Sequence, residues 1–271
     1  MATRKSYETH QDPHQEHTRI GEAGKFLASY TSWLLGCGAT CVRVEKNVTR
    51  MSEAFGYEAS LTVFPKHISL TVTDSETGAT RTYIADTHTC GINFNLNSDL
   101  SALSWAVADN SLSLEETRER FDKIIGERYT DGAQILLLAS LANAAFCRLF
   151  GGDVIAMLIV FCSTCAGYFF KQRLLAHKFD IRLVFLICAF ISASLAAGAE
   201  IFHWGTTPEI ALATSVLYLI PGVPFINAAS DLIDKHYLCA LSRFIDASVL
   251  TACLSAGLYL AIVLMKINPI W

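Results

Sequence analysis

The sequence predicts a membrane α-helical protein, with five transmembrane helices preceded by a small cytoplasmic α+β domain. Three observations lead there. The 271 residues are 52% hydrophobic and only 17% charged, with a mean hydropathy of +0.36, well to the apolar side of a soluble domain. The 46 Asp, Glu, Lys and Arg residues are unevenly spread, 31 of them before position 133 and 15 after it. Beyond Gly132 the uncharged runs lengthen to roughly the 17–25 residues a helix needs to cross the hydrocarbon of a bilayer. A disordered chain, a collagen-like chain and an ordinary soluble enzyme spread over the full length are thereby excluded. The charged half carries a net −5 and the apolar half +1. Neither offers a basic face for nucleic acid, so no nucleic-acid partner is expected.

Residues 1–18 are polar throughout and have no apolar core segment, which argues against a secretory signal and for a mobile tail. His10, His14 and His17 have helical spacing, but Pro13 interrupts them and no cysteine or carboxylate cluster completes a metal site. From Ile20 the period turns helical: Phe26, Leu27, Tyr30, Trp33, Leu34 and Cys37 recur at three- and four-residue spacing up to the Gly36-Cys-Gly38 stop. A second helix is expected over 39–55. The period then falls to two, with Leu61 and Val63 before Pro65, Ile68, Leu70 and Val72 after it, and Tyr83 and Ile84 beyond the Asp74-Ser-Glu-Thr-Gly78 turn. That alternation predicts a three-stranded antiparallel sheet. Helices are expected again over 98–109 and 114–125, the latter opened by a capping box in which Ser113 and Glu116 each satisfy an end-turn N–H. Residues 19–132 therefore form the α+β domain, large enough for its own core.

The five expected spans cover 133–147, 154–170, 183–199, 210–230 and 247–265, and the transmembrane part runs over 133–271. Orientation follows from the connecting loops. Lys171, Arg173, Lys178, Arg182, Lys235 and Arg243 would lie on one side and only Arg148 and Lys266 on the other, so the N-terminal domain is cytoplasmic and the C-terminus outside. The nine cysteines are an odd number, and five sit inside apolar runs, as reduced thiols packing like small hydrophobes do. The Cys162-Ser-Thr-Cys165 spacing lies in such a run, away from any strand-to-helix turn.

The fourth span concentrates the unusual chemistry. Pro221, Gly222 and Pro224 fall near its middle, where proline has no N–H to continue the helical ladder and glycine loosens the backbone. A break in lipid must face protein or water, because the freed polar groups need partners. Such breaks present carbonyls and N–H groups at midmembrane, as many secondary transporters do. Asn227 and Asp231 follow at i and i+4, on one face. Arg243 either pairs with Asp246 at the interface or anchors a substrate carboxylate with its forked guanidinium. There is no GxxxxGK[ST] cradle, no HExxH, no GxSxG and no dinucleotide fingerprint, so neither ATP-driven pumping nor familiar hydrolysis is supported, and no cofactor or metal is expected. The competing reading is a membrane-anchored enzyme or sensor acting through the cytoplasmic α+β domain, with Arg43, Glu45 and His67 as its candidates.

These residues resemble a known family. Pro221-Gly-Val-Pro224-Phe-Ile-Asn227-Ala-Ala-Ser-Asp231-Leu looks like the PG-P-x-x-NA-x-x-D-L segment of the threonine/serine exporter family, and Arg243 falls where that family carries an arginine. Gly38-Ala-Thr-Cys-Val-Arg43-Val-Glu45 is similar to its G-A-x-x-x-R-V-E segment, and Gly91-Ile-Asn93 to a later short match. The likeness runs from about Ile20 to the C-terminus and departs from the family at Ser230, where an arginine often precedes the aspartate. Family members are single chains of about ten spans or pairs of subunits, and five spans resemble the larger subunit of the split type, the branch akin to a bacterial succinate exporter. The resemblance implies export of a small carboxylate-bearing metabolite, a dicarboxylate such as succinate or the amino acids threonine and serine, across a bacterial inner membrane. It implies Pro221, Gly222, Pro224, Asn227, Asp231 and Arg243 as substrate-binding residues, with Asp231 gating or carrying a proton. It also implies a second, smaller membrane subunit, and it is compatible with a homo-oligomer.

Overall fold

The computed structural model describes residues 13–88, 90–127 and 131–267. Residues 1–12 of the expected tail and the last four residues of the expected outer C-terminus lie outside that set. The chain divides into two compact units, the first comprising Met1–Glu127 with Asn227–Ser242 and the second Arg128–Ile226 with Arg243–Trp271.

The first unit begins with α1 (Pro13–Gly36), so the helix starts within the stretch expected to be tail. Its buried stripe of Ile20, Ala23, Leu27, Tyr30 and Leu34 has the three–four spacing of one helical face. It is followed by α2 (Cys41–Ala54) and by the strands β1 (Tyr57–Val63), β2 (His67–Asp74) and β3 (Thr80–Asp86). The strands form an antiparallel meander in the order β1-β2-β3, with Leu61 opposite Leu70 and Leu70 opposite Tyr83. Ile68, Leu70 and Val72, two residues apart on β2, are fully buried, as alternation on a one-sided sheet requires. Gly24 lets α1 approach the sheet, since a Cβ there would strike the ring of Tyr83. The β2–β3 turn is built on Asp74, whose carboxylate accepts from the N–H groups of Glu76 (2.9 Å) and Thr77 (3.0 Å). These bonds, that of Thr77 foremost, hold the Asp74 carboxyl below the usual carboxylate range.

Helices α3 (Phe94–Asn110) and α4 (Leu114–Gly126) complete the expected set, each slightly longer than the periodicity predicts. Asn93 caps α3 by accepting from Leu96 N–H, and the Ser113/Glu116 capping box of α4 is formed in both directions. Along α2 and α3 runs a polar seam: Asn47 donates to Ser101 (3.1 Å), Arg50 donates to Ser104 (2.6 Å), and the Arg50 guanidinium lies 3.6 Å from the centre of the Trp105 ring.

The second unit holds α5 (Gly132–Leu149), α6 (Val154–Ala176), α7 (Ile181–Ile201), α8 (Pro208–Thr214), a 3-10 turn (Leu217–Leu219), the start of α9 (Gly222–Ile233) and most of α10 (Tyr237–Leu264). Four of these helices are long and apolar enough to cross a membrane, or five if α8 and α9, bent by 58° at the break, make one span. Leu137, Leu138, Leu141, Phe146, Val154 and Leu158 are exposed on α5 and α6, a surface that lipid covers and water would not. Helix contacts are made through small residues. A Cβ at Gly257 of α10 would collide with the Leu186 carbonyl of α7, the close approach typical of helices associating in lipid.

Two boundaries differ from the expected ones. Helix α6 continues six residues past Phe170, so Lys171 and Arg173 are helical residues, where a loop was expected, because nothing between Lys171 and Ala176 breaks a helix. Helix α10 starts ten residues before Ala247, which puts Arg243 and Asp246 in its second and third turns. The connection between α5 and α6 is tied to the one before α8 by a polar cap. Asp153 accepts from Ala156 N–H (2.7 Å) at the start of α6 and from Thr206 N–H (2.6 Å), and both bonds lower its pKa.

Replacing Ser113 by Ala is expected to remove one side of the α4 cap at a cost of about 1 kcal/mol. Hydrogen exchange should then run about fivefold faster in the first turn of α4 and unchanged in α1.

Candidate functional site

The break in the fourth apolar segment comes earlier than the two prolines suggest. Helix α8 stops at Thr214, the chain tightens into the 3-10 turn, and Ile220 is extended before Pro221. Helix α9 then starts at Gly222. Pro221 sits at the junction, but Pro224 lies in the first turn of α9, where an N–H would have no helical partner anyway. Pro224 therefore starts a helix, and only Pro221 belongs to the break itself.

Side chains of the neighbouring helices meet the backbone freed at the end of α8. Asn143 of α5 donates to the Thr214 carbonyl (3.2 Å) and to the Thr164 hydroxyl of α6 (2.7 Å). All three residues are buried. Thr214 and Ser215 bond back to the Ile210 and Leu212 carbonyls. Inside the 3-10 turn, Tyr218 points its hydroxyl at Ser192 of α7 (2.9 Å), and Ser192 donates to the Ser163 carbonyl (3.2 Å). Ser192 has one proton to give, so the Tyr218 hydroxyl is the donor of that pair. Gly167 of α6 makes room for both hydroxyls, since a Cβ there would overlap them.

In the first unit, the far end of α9 and the turn between α1 and α2 share a second polar cluster. Asn227 donates its amide N–H to the Gly38 carbonyl (2.8 Å). Asp231, fully buried, accepts the Cys41 N–H on Oδ1 (2.9 Å). Cys41 opens α2, and Thr40 at its N-cap makes no side-chain cap of its own. The Asp231 carboxylate thus stands where an N-terminal cap belongs, with the favourable sign for the helix dipole. Gly38 has a φ of +96°, which favours glycine there. One turn on, His236 lies 3.5 Å from the Glu45 carboxylate, and the Cys239 thiol donates to the Val63 carbonyl (3.3 Å). These contacts explain why residues 227–242, grouped by the sequence with the spans, belong to the first unit. Burial pushes the neighbouring Cys37 thiol up to about 12, so it stays protonated and donates to the Leu34 carbonyl.

Of the six expected site residues, Pro221, Gly222, Pro224 and Arg243 belong to the second unit and Asn227 and Asp231 to the first. The structure brings Asn227 and Asp231 together on the α1–α2 turn. Arg243 is half-buried on α10. The residues of the enzyme reading do not converge. Arg43 donates to Asn97, Glu45 faces His236, and His67 stacks on Phe64 at the strand turn.

The model of the ThrE family, described as "Putative threonine/serine exporter", matches residues 25–265. The chain belongs to the ThrE family. Two relatives share its length. The "Probable succinate transporter subunit YjjP" of Klebsiella aerogenes is 26% identical over 230 residues, 84% of this chain and 88% of the relative. The protein of the same name in Escherichia coli K12 is 26% identical over 231 residues, 85% and 90% of the two chains. No solved structure gives a significant match.

For this ThrE-family chain, sequence reasoning passed over Asn143, Thr164, Ser192 and Tyr218. Each lay in an apolar run, and only the proximity of α5, α6, α7 and the 3-10 turn pairs Asn143 with Thr164 and Ser192 with Tyr218. The signal available was their rarity: an amide such as Asn143 in a span needs a partner.

Asp231→Ala is expected to speed hydrogen exchange in the first turn of α2 by tenfold or more, because a buried charge-assisted bond contributes about 1.5–3 kcal/mol. Asp231→Asn, which keeps an acceptor oxygen, should fall between Ala and wild type. Equal exchange in all three proteins would remove Asp231 as a cap.

Proposed function

We propose that this ThrE-family chain is the larger subunit of a secondary exporter that carries a small carboxylate-bearing metabolite, succinate or threonine and serine, out of a bacterial cell. The carrying observation is the interrupted apolar segment, whose open backbone is met by an inward-facing polar cluster within a family of exporters. The names of the two YjjP relatives favour succinate and a partner subunit.

In this reading α8, the 3-10 turn and α9 count as one span of five. The N-terminal domain is cytoplasmic and the C-terminus lies on the outer side, as the six-to-two distribution of basic residues favours. Pro221 at the break, with Gly222 and Pro224 in the first turn of α9, provides the open backbone at which substrate binds, and Arg243 attracts its carboxylate. Asn227 and Asp231 gate the path: a substrate or proton arriving at them would compete for their bonds to the α1–α2 turn. The second subunit is a smaller membrane protein, and the reading is compatible with more than one copy of this chain in the complex.

The test is efflux of labelled succinate and threonine from cells expressing the full chain, with and without the membrane partner that co-purifies with it. Efflux is expected only with the partner, and Asp231→Asn is expected to lower it at least tenfold at equal membrane abundance. Efflux unchanged by Asp231→Asn would take Asp231 out of the path. No efflux of either compound with the partner present would overturn the exporter reading.

A further inference from the structure

The inner face of α6 is marked by its buried residues: Ala156, Val160, Ser163, Thr164 and Gly167. Continued by one turn, the same face carries Lys171, four residues after Gly167. Sequence alone makes Lys171 an ordinary cation at the cytoplasmic edge of a span, reaching for headgroups as such residues do. Its surroundings are different. The Lys171 ammonium lies 5.3 Å from the ring centre of Tyr168 and 5.3 Å from that of Phe185 on α7. Phe185 is only 6% exposed, within a core that also holds Cys188 and Leu219. Arg173, two residues on, shows the ordinary arrangement, since its guanidinium lies over Phe169, which is 45% exposed on the outer side of the helix.

The ammonium also connects to the cluster at the break. The Tyr168 ring that it faces is 5.9 Å from the ring of Tyr218, and the Tyr218 hydroxyl meets Ser192 against Gly167. Among the described residues no carboxylate lies within ion-pair distance of Lys171. Lys171 is half-buried, and a cation held there between aromatic rings with no anion beside it is costly to keep and marks a candidate ligand path.

We propose that Lys171 is the cationic anchor of a carboxylate-binding site lined by Tyr168, Tyr218 and Ser192, at which one carboxylate of the transported anion takes the place of the missing ion-pair partner. The ammonium supplies charge and up to three N–H donors, and the Tyr218 hydroxyl supplies one more when the carboxylate replaces Ser192 as its acceptor, while Ser192 keeps its proton on the Ser163 carbonyl. This rests on the exporter reading and adds to it a substrate-binding residue on α6, apart from Pro221 at the break, the four residues on α9 and Arg243 on α10. The aromatic walls accept the methylene part of a short dicarboxylate and disfavour strongly hydrated inorganic anions.

The experiment measures two quantities on the full chain purified with its partner: the rise in melting temperature caused by succinate, and succinate flux in proteoliposomes. Wild type and Lys171→Arg are expected to show both. Lys171→Gln and Lys171→Met are expected to lose the succinate-induced rise and at least tenfold of the flux, while melting without ligand stays close to wild type. Chloride and sulfate at equal concentration should give no rise. If both neutral variants keep the succinate-induced rise, or keep wild-type flux, the anchor is wrong and the exporter reading stands. If wild type binds succinate through Lys171 but carries no flux, the exporter reading falls and the binding site stands. If wild type shows neither, both fall. Should the neutral variants fail to accumulate, Tyr218→Phe decides, with a loss of the succinate-induced rise expected and an unchanged rise counting against the site.

Discussion

An apolar segment that is not continuously helical cannot leave its backbone to lipid, and this one constraint organises the second unit. Every carbonyl and N–H released between Thr214 and Gly222 needs a partner that water would supply in a soluble protein. The Thr214 carbonyl receives Asn143, and the 3-10 turn draws Tyr218 inward to Ser192. These bonds require α5, α6 and α7 to lie close together. Gly167 and the alanines of α7, of which Ala189, Ala193, Ala196 and Ala197 are fully buried, permit it. A side chain larger than glycine at 167 would remove the space for both hydroxyls and so undo the arrangement from α6. The polar cluster is a requirement of the break before it is anything else, and a chemical opportunity because the break is there.

The first unit is governed by a comparable requirement at a helix end. The α1–α2 turn must reverse the chain at Gly38 and start α2 without a capping side chain from Thr40. Asp231, far along the chain on α9, supplies the carboxylate, and Asn227 on the same face takes the Gly38 carbonyl. Two of the stretches that carry the family resemblance therefore meet in one interaction, through Gly38 and Cys41 on one side and Asn227 and Asp231 on the other. A spacing of four residues, 227 to 231, is what allows one face of α9 to reach both the turn and the start of α2.

Much of this was legible in the sequence. Alternation at Ile68, Leu70 and Val72 and the Ser113–Glu116 box located the sheet and α4, since local patterns with local causes survive without knowledge of the fold. The long apolar runs located the helices of the second unit. Less legible was anything that depends on which helices become neighbours. Pro221 and Pro224 looked equivalent, yet one lies at the break and the other begins a helix, a difference set by where the 3-10 turn ends. Asn227 and Asp231 looked like polar groups on one face of a span, just beyond its break, and they bond to backbone atoms some 190 positions away in the chain. Lys171 looked like a loop cation because it ends the uncharged run of the span at Phe170, although the helix continues to Ala176.

The strength of the Asp231 and Asn227 contacts bears on what a gate made of them can do. One charge-assisted bond and one neutral bond contribute together about 2–4 kcal/mol net, which corresponds to a bound-to-released ratio of roughly 30 to 1000. Moving such an equilibrium fully to the released side takes about 5.5 kcal/mol of differential binding if it starts near 1:99. A small carboxylate with a single ion pair does not supply that much alone, whereas an ion pair combined with competition for the two bonds does. A gate of this kind would therefore hold closed at low substrate and open only when the incoming group acts on Asn227 or Asp231 themselves.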